Sequence, residues 1–222
     1  GPRHTFSCEW PHGSANPRVY EVASRIYPAL RNAMPANYLE EINRWNRRPP
    51  TLSDREYVQW QRGPKTSTSL AEMTGWIDTC LTRDNIWLVL TFHGVDGIGY
   101  EPKTGRELEE FFSYIKAHED RLWVATFQDA TKYIRERMNA TVSTSASANR
   151  IRVTLSHSLD RKLYDLPLTL ETQVPPHWKA AKVRQDHRTI ILPVRPDEHG
   201  SFVLYEAKPN AGPIEITKSV RE

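Results

Sequence analysis

Ile86-Trp87-Leu88-Val89-Leu90-Thr91-Phe92, followed at once by His93-Gly94, is the stretch that frames the 222-residue chain. The run is short for a buried helix and too apolar for a half-exposed strand. It therefore predicts a central strand buried on both faces. Just upstream, Ser69 and Glu72 fit a capping box, and Leu70, Met73, Ile77 and Leu81 recur on one helical face, the pattern of a core-facing helix. Just downstream, Thr104 and Glu107 make a second capping box. Leu108, Phe111, Phe112 and Ile115 then follow at the spacing of a helix that packs one face on a sheet.

Working outward, residues 5–9 read as a strand, Pro11-His12-Gly13 as a turn, and Asn16-Pro17 as a helix start with an N-cap and a first-turn proline. Residues 32–66 carry Pro35, Pro49, Pro50 and Pro64 among Trp45, Tyr57 and Trp60, the composition of a long irregular excursion. Residues 122–127 predict another strand, leading into a helix from Asp129 to about Met138, with Asp129 suited to cap it. This alternation of apolar runs with amphipathic helices is how a parallel α/β sheet or barrel is written. Composition changes at Asn139. Residues 141–149 are small and polar, a linker or an exposed strand, and beyond them the hydrophobic period shifts towards two in short segments separated by turn residues, as in an antiparallel sandwich.

Composition narrows the function classes. The hydrophobic fraction of 38% and charged fraction of 26% are ordinary for a globular protein, and no apolar run approaches the length of a membrane span. The net charge of +3 comes from 30 basic and 27 acidic residues interspersed along the chain, which argues against a nucleic-acid-binding stripe. Arg44, Arg47 and Arg48 form the densest basic cluster and read as a solvated loop. Cys8 and Cys80 are too few for a disulfide scaffold or a four-cysteine zinc site. The opening Gly1-Pro2 reads like the scar of a tag-cleaving protease, so the lack of a leader says nothing about secretion.

Functional groups on parallel α/β folds collect at the C-terminal ends of strands. His93, directly after the apolar strand and before a glycine, is the first candidate there: an imidazole suits general acid work near neutral pH, while a hydrogen-bonded structural histidine is the alternative. Glu9 and Asp129 end other predicted strands and read as a possible carboxylate pair of a glycoside hydrolase. The Trp10-Pro11-His12-Gly13 turn lines a sugar site or packs structurally. Among the eight histidines no pair lies at i,i+4 spacing, and no aspartates are adjacent, so the sequence predicts no metal site and no tight zinc binding by this chain alone.

These segments carry a family resemblance. Trp87-Leu-Val-Leu-Thr-Phe-His-Gly-Val95 resembles the late strand of NodB-homology polysaccharide deacetylases, which ends in the histidine that protonates the leaving group; His93 matches that position. Phe6-Ser-Cys-Glu-Trp-Pro-His-Gly13 is similar to the family's aromatic-Pro-aromatic-Gly pocket wall, here with His12 as the second ring and no arginine. Met73-Thr-Gly-Trp-Ile-Asp78 resembles the helix whose tryptophan borders the acetyl pocket, without the usual Asp-x-x-x-Trp spacing. Phe112 to Lys116, Trp123 to Phe127 and Tyr133 to Arg137 resemble the last helix, strand and helix of one branch, which also carries a C-terminal β-domain.

The resemblance implies an α/β fold: residues 4–138 as the later part of a distorted (β/α) barrel, 139–149 as a linker, and 150–218 as a small all-β sandwich domain. It implies a hydrolase that removes acetyl groups from a carbohydrate, with His93 catalytic and Trp10, Pro11, His12 and Trp76 at the substrate. It further implies a divalent metal, zinc, in the complete enzyme, and a secreted or periplasmic location. The family's Asp-Asp and His-x-x-x-His motifs lie upstream of Phe6 in family order, so the metal ligands are expected from a preceding segment of the same enzyme. A non-catalytic fragment or sugar-binding protein, and a glycosidase using Glu9, are the rival readings.

Overall fold

The computed structural model describes residues 6–9, 16–30, 58–83, 86–147 and 149–219. The chain divides into two compact units, Gly1–Thr131 and Lys132–Glu222.

In the first unit, β1 (Ser7–Cys8) pairs in parallel with β2 (Ala29–Leu30). Between them runs α1 (Pro17–Ser24), whose cap Asn16 accepts a 3.0 Å bond from the Val19 amide, with proline in the first turn as the sequence predicts. A second parallel pair joins β3 (Val58–Arg62) to β4 (Ile86–Leu90), with Trp60 opposite Leu88. The intervening helix α2 (Leu70–Leu81) is capped by Ser69, which accepts from the Glu72 amide at 3.1 Å. Met73, Trp76 and Ile77 of α2 are buried with Trp60 and with Phe111 of α3 (Gly105–Lys116). The Thr104–Glu107 capping box at the start of α3 is complete in both directions.

Four expectations are corrected. Among the described residues, the strands of this unit form two separate two-stranded pairs and no closed barrel, so the (β/α) barrel is not the architecture. A βα alternation fixes the local unit but carries no count of strands and no closure. Strand β4 is not buried on both faces: Val89 is buried, while Ile86, Trp87, Leu88 and Leu90 are half-buried. Residues 122–126 are not a strand. They are irregular, with Trp123 and Val124 exposed, and α4 (Phe127–Asn139) begins where the strand was expected to end. Aromatic and β-branched composition suits a strand only where a neighbour supplies the ladder. Thr126 accepts from the Asp129 amide at 3.1 Å, so Thr126 fills the capping role expected of Asp129.

The second unit is a β-sandwich. One antiparallel sheet has the order β5-β6-β12-β8-β9, from β5 (Thr141–Ser147), β6 (Arg150–Ser156), β8 (Ala180–Gln185), β9 (Arg188–Pro193) and β12 (Ile214–Lys218). The other has the order β10-β11-β7, from β7 (Leu168–Gln173), β10 (Arg195–Asp197) and β11 (Gly200–Ala207). Residues 141–147 are thus a strand rather than a linker, with every residue exposed, at the edge beside β6. Alternate residues point inward: Ile151, Val153 and Leu155 of β6, Ile214 and Ile216 of β12, Ala181 and Val183 of β8, and Val203, Tyr205 and Ala207 of β11 form one core. Each fully buried aliphatic chain in that core contributes roughly 1.5–3 kcal/mol.

A buried polar pair sits at the side of this core. Glu136 of α4 and His157 are 0% and 1% exposed, with Oε2 and Nε2 3.4 Å apart. Glu136 also accepts from the Leu166 amide at 3.0 Å, and burial pushes its carboxyl above the ordinary range. Among the described residues no helix is long and apolar enough to cross a membrane.

Candidate functional site

The site is built on the chain that leaves β4. Thr91 continues the ladder by donating to the Arg62 carbonyl at 2.9 Å, and the backbone then turns at His93-Gly94 into a tight hairpin. Val95 and Ile98 exchange backbone bonds of 3.1 and 3.0 Å across Asp96-Gly97. Both turn residues have positive φ, 51° and 79°, the mirror-image geometry that matches strand twist and favours Asp-Gly. Gly94 is enclosed: a Cβ there would lie 2.2 Å from the Ile98 carbonyl oxygen and 3.0 Å from Pro102.

Three side chains hold this hairpin. Asp96 Oδ1 accepts from the Gly105 amide at 2.7 Å, at the start of α3. Glu101 Oε2 accepts from the Thr66 amide at 2.7 Å. Lys103, 2% exposed on its side chain, donates to the Thr68 carbonyl at 2.7 Å and reaches Glu107 at 2.6 Å. The loops that follow the parallel strands β3 and β4 are therefore tied together at one end of the pair. Glu101 has φ 44°, uncommon for a residue with a side chain, and its bond to Thr66 keeps it there. The Thr66 amide holds the Glu101 carboxyl below the usual carboxylate range, with smaller contributions in that direction from Lys65 and His93.

His93 is exposed on this support, and its ring meets Tyr100 edge-on at 5.3 Å and 83°. The structure thus brings His93 together with Tyr100 and, electrostatically, with Glu101. Trp76 lies elsewhere, 8% exposed in the core formed with Met73 and Phe111. Trp10, Pro11 and His12 lie outside the described residues. Glu9 is exposed directly after β1, and Asp129 is inside the first turn of α4. Cys80 is pushed up to about 12 by burial, which leaves its thiol unreactive at neutral pH. Both cysteines are free.

Sequence reasoning passed over Tyr100, Glu101, Thr66 and Lys103. The Asp96-Gly97 pair between Val95 and Ile98 was the available signal, since it marks a two-residue hairpin that returns Tyr100 towards His93. No sequence signal marks Lys103 as buried.

Among the described residues, no three His, Cys, Asp or Glu side chains converge as a metal-holding group. The described residues therefore do not by themselves supply a ligand set for the divalent ion that the resemblance implies.

No protein-family model matches the chain. No solved structure matches it either. The chain is similar to a gellan lyase from Bacillus sp, at 24% identity over 137 residues, which covers 59% of this chain and 6% of the lyase. The chain thus spans a small fraction of that relative's length.

Proposed function

We propose that this chain is the C-terminal part of a carbohydrate-active hydrolase that removes acetyl groups from a polysaccharide, with His93 as the general acid. The observation that carries the reading is the exposed His93 imidazole at the end of β4, set on a hairpin whose Gly94 has no room for a side chain. An exposed imidazole on a fixed backbone can give a proton to a departing amine or alcohol, a step worth about two to four orders of magnitude in rate. The similarity to a gellan lyase supports a carbohydrate substrate, and the sequence resemblance to NodB-homology deacetylases supports the acetyl ester or amide as the bond cleaved. On this reading the water-activating ligands come from residues preceding Phe6, and the protein acts outside the cytoplasm.

The second reading is a non-catalytic sugar-binding protein. It is favoured by the exposed aromatic and aliphatic side chains of Tyr100 and Ile98, which need no chemistry to hold a sugar. For a glycosidase using Glu9, no observation supplies the second carboxylate.

The two readings part in one experiment. The 222-residue chain and a longer form carrying its natural upstream segment are assayed for acetate release from acetylated saccharides, with zinc titrated calorimetrically into each. The hydrolase reading expects the short chain to bind zinc weakly and release no acetate, and the longer form to gain both together. Zinc-dependent acetate release by the short chain overturns the division of labour, and a longer form without acetate release overturns the hydrolase.

A further inference from the structure

We propose that Tyr100 is a sugar-stacking platform, and that together with the His93 imidazole it forms a pyranose-binding subsite on the hairpin after β4. The inference rests on the reading of a carbohydrate-active protein and adds a residue and a ligand geometry to it.

The argument starts from exposure. Tyr100 is 69% exposed and Ile98 is 78% exposed, although both belong to a hairpin fixed by the Asp96, Glu101 and Lys103 bonds. Beyond the Asp96-Gly97 turn, the non-glycine residue Glu101 also holds positive φ. Such conformations cost energy and persist only where the surroundings impose them. The effort of fixing the backbone does not go into burying Tyr100, so it presents the ring instead.

The ligand class follows from what surrounds the ring. A pyranose has an apolar face of C–H bonds and a rim of hydroxyls, so it fits an aromatic surface with a directional polar group alongside. The His93 ring, its centroid 5.3 Å from that of Tyr100 and its plane at 83°, is the polar group alongside. A nucleic acid base would also stack, but it brings phosphates, and this hairpin carries the carboxylates Asp96 and Glu101 while its own lysine, Lys103, is buried. A protein partner would need a broader apolar patch than Val95, Ile98 and Tyr100 supply.

The subsite is tested on the isotopically labelled 222-residue chain by following aromatic and methyl NMR signals. The probes are N-acetylchitotetraose, acetylated xylo-oligosaccharides and a gellan tetrasaccharide, each raised to about 20 mM to reach the millimolar affinity of a single stacked sugar. At least one probe should shift the Tyr100 ring, the His93 ring and the Ile98 methyl signals together. Tyr100→Phe should retain binding, and Tyr100→Ala and Tyr100→Leu should each weaken it by about fivefold, the worth of one aromatic contact. Leucine keeps bulk at the position, so a folding defect confined to the alanine variant is recognised. Absence of Tyr100 shifts with every probe overturns the subsite. So do shifts confined to the sandwich cavity of about 330 Å³ beside Ile190 and Tyr205. Binding does not read acetate release, so a saccharide held on Tyr100 by a protein that hydrolyses nothing leaves the subsite standing and removes only the hydrolase.

Discussion

Glu101 accepts a 2.7 Å hydrogen bond from the backbone amide of Thr66, and together with the Lys103 bond to the Thr68 carbonyl this contact fastens the loop after β4 to the loop after β3. Two loops that follow adjacent parallel strands are thereby made one support for His93. Gly94 is the tightest point in that support, because the atom a side chain would strike is the backbone oxygen of Ile98, which cannot swing aside. Gly94→Ala should therefore open the hairpin, costing about 1–3 kcal/mol as an overpacking change. Chemical denaturation and amide exchange at Val95 and Ile98 measure it. An alanine variant with unchanged stability and unchanged exchange would show that the close approach is not maintained in solution.

The Lys103–Glu107 pair predicts a pH dependence. Its hydrogen bond to Lys103, ahead of those to Thr104, lowers the Glu107 carboxyl to about 2. A folded-state value below the unfolded one of about 4.3 stabilises the fold at higher pH. That contribution is complete above the unfolded value and is lost as pH falls through about 2. The stability difference between the wild type and Glu107→Gln should be largest near pH 7 and shrink below about pH 4. Glu107 is 35% exposed, so salt should reduce the effect. A difference that stays flat over the whole range would contradict the pairing.

How much of this was legible in the sequence varies by element. The capping residues Asn16, Ser69 and Thr104 were readable, since a cap needs only its own side chain and amides two or three residues away. The strands of the sandwich were readable because one face is buried and the other wet, which writes a period of two. Residues 122–126 were misread because strand composition was present without a ladder to join, and pairing is a long-range property. Closure of a barrel was misread for the same reason. At the candidate site, His93 was visible from the abrupt end of an apolar run, whereas Lys103 was not, because its burial depends on carbonyls of Thr66 and Thr68 more than thirty positions away.

In the second unit the buried pair of Glu136 and His157 should be a point of high sensitivity. Glu136→Ala removes the acceptor of the Leu166 amide and takes away the carboxylate that lies 3.4 Å from His157 Nε2. Leaving the part-buried Leu166 amide without its acceptor costs about 1–3 kcal/mol, and Glu136→Gln should cost less because its amide oxygen still accepts from Leu166. Thermal unfolding of the three proteins provides the comparison. Equal midpoints for all three would show that the pair contributes nothing to the fold.

The central claim is that His93 delivers a proton to the leaving group of a carbohydrate ester or amide. The direct measurement is steady-state acetate release by the form that includes the upstream segment, with His93→Ala set against the parent protein. A general acid acts in the transition state, so kcat should fall by about two to four orders of magnitude, while KM rises by no more than about tenfold, the loss of one polar contact to the sugar. A His93→Ala enzyme that keeps kcat within about twofold of the parent would contradict the account.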